Sequence, residues 1–136
     1  MSIRYTATVK SARLGSVITY LGSTGYLNIL SGTGALLAAL PLASPAGVVS
    51  TSGSGTSAVV TLNFSGLPLS ESSALASGQA SAASLSTAAP SSGAVGGTVI
   101  ADNLVVGTVS GDIQLSSLNI VAGQPVTITA ASIQHA

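Results

Sequence analysis

Charge is nearly absent from this sequence. Three Lys or Arg and three Asp or Glu make up 4% of its 136 residues, against roughly 25% in an ordinary soluble domain. The formal net charge is zero. A freely diffusing monomer depends on surface charge for solubility, and near-zero net charge favours association. Such a chain suits life inside an assembly better than life alone in solution.

Other absences exclude whole classes of function. There is no Cys, hence no disulfide framework, thiolate nucleophile or Cys-ligated zinc. There is no Trp, and the aromatics are Tyr5, Tyr20, Tyr26 and Phe64. A protein that stacks bases needs basic residues interleaved with exposed aromatics, so no nucleic-acid partner is expected. No apolar run approaches the ~18 residues of a spanning helix, so no membrane is expected either. Leu36–Leu42 followed by Ala-Ser-Pro-Ala faintly resembles an export signal. It is short, and a polar, Gly-rich stretch separates it from the basic residues, which argues against one.

Titratable groups are equally scarce. His135 is penultimate and reads as a frayed tail rather than a ligand or base. Asp102 and Asp112 could be neighbours across a hairpin, but Asp-Asn and Gly-Asp are turn sequences that favour Asp for backbone hydrogen bonding. Glu71 reads as a solvated loop charge. Gly32-Thr33-Gly34 lacks the third glycine of a dinucleotide loop, since Leu37 stands there, and Gly53-Ser54-Gly55 lacks the Lys of a phosphate loop. No catalytic residue, cofactor or metal is expected, and the chain reads as a non-enzyme.

What is present is segregated. All three cations, Arg4, Lys10 and Arg13, precede residue 22, and all three acids follow residue 70. Leu14, Val17, Ile18 and Leu21 have the spacing of one helical face, loosely extended by Val9, and Gly22 stands at the helix stop. Residues 1–22 thus read as a basic N-terminal arm or helix, and 23–136 as a β-sandwich body. The arginines and the lysine either keep the helix soluble or dock on an acidic partner surface, where Arg holds carboxylates bidentately.

Strands are expected at Tyr26–Leu30, Ala58–Phe64, Ser77–Ser86, Thr98–Ile100, Leu104–Val109, Ile113–Leu115, Leu118–Val121 and Val126–Ile133. Leu36–Leu42 fits a strand or a turn of helix, and Pro41 confines any strand there to an edge. Ser44–Ser57 and Ala88–Gly97 read as loops, and Gly111–Asp112 as a hairpin turn. The fold class is all-β: a jelly-roll-like β-sandwich of about eight short antiparallel strands with one N-terminal helix.

Several stretches resemble a family encoded among the head genes of tailed bacteriophages, the capsid cement or decoration proteins, a short-tailed phage of Bordetella among their sources. Arg4, Tyr5, Val9, Ala12 and Leu14 match its R-Y-x-x-x-V-x-x-A-x-L opening, followed by Gly22–Leu30. Thr33–Leu42, the Ser-Gly-x-Ala step at Ser77–Ala80 and the run Ile120–Thr129 continue the likeness. Family members carry an aromatic and an Arg soon after that step, where this chain has Ala82-Ala83-Ser84-Leu85. The resemblance implies a jelly-roll-like protein on the outer capsid surface that clamps neighbouring major capsid subunits. Its partners would be the major capsid protein and further copies of itself, as a dimer or trimer, with Arg4, Lys10 and Arg13 as the docking residues. A tail, fibre or baseplate module binding a cell surface or glycan is the alternative. The docking reading predicts that reversing all three cations to Glu abolishes capsid attachment and leaves the fold intact.

Overall fold

The computed structural model describes residues 3–91 and 94–135. One helix, α1 (Ala7–Leu21), precedes ten strands: β1 (Tyr26–Ser31), β2 (Leu36–Pro41), β3 (Gly47–Ser52), β4 (Val59–Phe64), β5 (Leu69–Glu71), β6 (Gly78–Ser91), β7 (Ala94–Gly107), β8 (Ile113–Leu115), β9 (Asn119–Ile120) and β10 (Val126–His135). Strands take 55% of the described residues and helical turns 14%, so the class is all-β with one N-terminal α-helix.

The helix begins and ends on chemistry. The Thr6 hydroxyl accepts from the Val9 N–H at 3.4 Å, which satisfies one of the orphan donors of the first turn. At the other end Gly22 has φ +55° and its N–H donates to the Ile18 carbonyl at 3.1 Å. Leu14 and Leu21 are buried in the main core, and Val17 and Ile18 pack against it. Val9 is exposed and lies off the stripe.

The strands form one mixed sheet in the order β2-β1-β6-β7-β8-β10-β4-β3, with β5 on β10 and β9 on β6. Pro41 closes the edge strand β2, where its missing N–H costs no ladder bond. Leu36 to Leu40 are all buried, so this strand is covered on both faces and its alternation carries no polar side. Leu85, Leu27 and Leu40 lie in cross-strand register on β6, β1 and β2, and all three belong to the core.

Three expected loops or turns are otherwise. The middle of Ser44–Ser57 is strand: β3 pairs β4 from Gly47↔Phe64 to Ser52↔Val59, because Val48, Val49 and Thr51 favour a pleated surface. A 3₁₀ turn follows at Gly55–Ser57. Ala88–Gly97 also belongs largely to strands, since β6 and β7 continue through it. Residues 92 and 93 of that expected loop lie outside the described residues. Asp102–Asn103 does not divide two strands. It is a bulge within β7, with Asn103 at φ +55°. There 101 to 104 on β7 oppose 83 to 85 on β6, and the next two steps toward residue 96 each add another residue to β7. Successive bulges on one strand bend and twist the ribbon.

The expected hairpin at Gly111–Asp112 is absent, and β8 runs parallel to β7. The Asp112 carboxylate accepts the Val105 N–H at 3.0 Å, and its carbonyl accepts the Ser132 N–H at 2.9 Å. These bonds bring the chain back beside β7 in the same direction and align it with β10.

A matched pair on the helix checks this packing. Leu21 is 1% exposed and Tyr20 71%. Leu21→Ala is expected to cost about 2–5 kcal/mol in denaturant unfolding, and Tyr20→Ala less than about 0.5 kcal/mol.

Candidate interaction site at the basic N-terminal element

The three cations do not share one surface. Lys10 is 2% exposed. Its Nζ donates to the Ala58 carbonyl at 2.6 Å and to the Thr56 carbonyl at 3.1 Å. Position 10 lies one turn before Leu14, on the same buried stripe as Leu14 and Leu21. The aliphatic stem thus runs along the helix–sheet seam, while the ammonium satisfies carbonyls at the end of the 3₁₀ turn. Lys10 is therefore corrected from a docking residue to a structural one, because its ammonium points into the protein and already has two acceptors.

Arg4 and Arg13 are exposed. The Arg13 guanidinium carbon stands 4.7 Å from the centre of the Tyr5 ring, a cation–π contact. On the Tyr5 ring, in turn, His135 packs edge to face at 6.1 Å and 71°. His135 is no frayed tail. It is half-buried at the end of β10 and pairs with Val60 of β4. Arg13, Tyr5 and His135 so bind the chain before α1 to the last strand. One row across the sheet runs Thr51–Val60–His135, and Ser11 on α1 reaches Thr51, hydroxyl to hydroxyl, at 3.5 Å.

The acids sit on other elements. Glu71 is half-buried in β5 rather than in a loop, paired with Val126, and accepts the Ser73 N–H at 3.4 Å. Asp112 is occupied by the Val105 N–H, and Asp102 is exposed on the β7 bulge. No group of three His, Cys, Asp or Glu able to hold a metal exists among the described residues, and no described helix is long and apolar enough to cross a membrane. A groove of about 390 Å³ lies where Tyr20 meets Thr87 and Thr98–Ile100. Among its lining residues Tyr20 brings the one titratable group, a phenol, and Val99 and Ile100 give it an apolar wall.

Chemically, then, the basic end offers two exposed guanidiniums, one of them stacked and oriented. Sequence reasoning missed Lys10 because it treated a lysine as solvated. The signal was its phase, four residues before Leu14. No protein-family model, curated protein or solved structure matches the chain.

Lys10→Met keeps the stem and removes the donor from two carbonyls. It is expected to cost about 1–3 kcal/mol. Lys10→Glu, which sets a carboxylate against those carbonyls, should cost about 3–5 kcal/mol. Arg13→Gln should cost at most about 1 kcal/mol. Urea melts of the three variants check this order, and a Lys10→Met protein as stable as wild type would contradict it.

Proposed function

We propose that this protein is a structural component of a tailed-phage virion that decorates the outside of the capsid and clamps neighbouring major capsid subunits. The observation that carries this reading is the series of family-like stretches from Arg4 to Thr129. They fall on connected parts of the molecule: the Arg4–Tyr5 arm, α1, the β1–β2 hairpin, the start of β6, and β9 through β10. A chain with six charged residues in 136, one of them the buried Lys10, supports the same role. It favours contact with other protein surfaces over free solution, and many weak contacts repeated by symmetry hold a shell without one strong site.

The jelly-roll-like form belongs to the same proposal. In that form the continuous order β2-β1-β6-β7-β8-β10-β4-β3 folds over on itself between β7 and β8, with four strands to each layer of the sandwich. On this reading Arg4 and Arg13 meet carboxylates of the capsid surface. Lys10 has no part in docking on this reading, and reversing all three cations would mix lost docking with the about 3–5 kcal/mol that Lys10→Glu costs the fold.

The double variant Arg4→Glu, Arg13→Glu is expected to stay folded, with a loss of about 1 kcal/mol or less, and to lose at least about tenfold in affinity for undecorated capsids, as two charge reversals at an interface do. Wild-type occupancy by this variant would remove the arginines from the docking site. On a gel of purified virions, a decorating protein stands near the major capsid protein in abundance. A band at the level of the tail proteins would instead favour a tail, fibre or baseplate module.

A further inference from the structure

The two ends of the sheet are not alike. At one end β2 stops at Pro41, and its Leu37 carbonyl accepts N–H groups from Leu75 and Ala76 at 2.8 and 3.2 Å, so residues 74–76 cover that edge. At the other end β3 pairs only with β4, through six successive residues and without a register shift. Among the described residues no further strand lies on its outer edge. Natural edge strands carry a Lys, a Pro or a bulge that keeps another strand from adding. β3 reads Gly-Val-Val-Ser-Thr-Ser and has none of these. One of its faces holds Val49, packed on the core, and Thr51, which meets Ser11 of the helix. The other carries Val48, 62% exposed, and the exposed Ser50.

We propose that β3 is a dimerisation edge, adding antiparallel to β3 of a second copy about a two-fold axis and continuing the sheet. The proposal goes beyond the capsid reading and does not depend on it. An unpaired edge takes an extended backbone as its ligand. Neither β3 nor its neighbour β4 bears a charged side chain or a histidine. This edge therefore has nothing with which to select a charged partner, and no like charges meet when it pairs with itself.

The pairing rules also fix where the axis falls. In an antiparallel ladder, residues that point N–H and C=O outward face one another, and they recur at every second position. A strand paired with its own copy therefore has the axis through a residue, which centres it on Val49 or Ser50. Either centre brings Val48 opposite Ser50 or Ser52 of the other copy, on the open face. The isologous contact closes at two copies. A strand edge alone is smaller than the roughly 800 Å² per partner of a standard interface, so the dimer is weak and concentration-dependent.

Because the chain has no Cys, single thiols can be placed at will. In sedimentation of the full chain over a wide concentration range, wild type should pass from monomer to dimer. Val48→Lys, a solvent-face change that sets like charges near the axis, should weaken the dimer about tenfold with an unchanged melt. Ser50→Cys should be captured as a dimer by a short bis-maleimide, whereas Thr33→Cys in the β1–β2 turn should not. A wild-type monomer at every concentration would overturn the proposal, as would a trimer, equal capture of the two thiols, or an unweakened Val48→Lys dimer. So would a monomer whose Val48→Lys variant loses capsid occupancy, since the strand added at this edge would then be the capsid's.

Discussion

A single buried ammonium fastens the helix to the sheet. Lys10 Nζ meets the Ala58 and Thr56 carbonyls, and the stripe it heads continues through Leu14 to Leu21. Burying a charge is costly unless its hydrogen bonds are made, and here carbonyls make them without a carboxylate. With this contact in place, α1 lies against the β3–β4 hairpin and shares one core with β1, β2 and β6. The basic segment is consequently packed on the sheet by one face, and of its three cations only Arg4 and Arg13 remain at the surface.

The second constraint is the close approach of β6 and β7. A Cβ at Gly96 would collide with the Ala89 carbonyl, and one at Gly97 with the Thr87 hydroxyl. Small residues therefore allow the long ribbon to bend through its bulges, and the Ser/Ala-rich composition of β6 is what that geometry needs. Within the ribbon's neighbourhood Asn28, Ser84 and Ser86 form a buried polar cluster, in which Asn28 Nδ2 donates to the Ser86 hydroxyl at 2.9 Å. Only a β1 register that places Asn28 beside Ser84 and Ser86 provides those acceptors.

Legibility in the sequence followed the strength of local signals. The Leu14–Leu21 stripe and the Gly22 stop marked α1, and alternation marked β4 and β10, because those elements have one buried and one exposed face. β3 was hidden by the Gly, Ser and Pro around it, although Val48-Val49 carried strand propensity. The continuation of β6 and β7 into Ala88–Gly97 was hidden because bulges break the period-two pattern, and parallel pairing of β8 has no sequence signature at this length. At the candidate site, Arg4 and Arg13 stand exposed as expected. Lys10 and His135 do not behave as solvated residues, since tertiary packing, which no local pattern encodes, decides their surroundings.

These features suit a protein whose contacts are made by surface rather than by reactive groups: almost no charge, two arginines at one end and an unprotected strand edge at the end of the sheet. The measurement that tests the capsid proposal most directly is a density map of intact virions containing this protein. The account predicts the β-body on the outside of the shell, repeated over the lattice, with the Arg4–Arg13 end against the major capsid protein and α1 folded on β3 and β4. Density confined to the tail, or a shell-bound protein that meets the capsid through another surface with both arginines free in solvent, would contradict it.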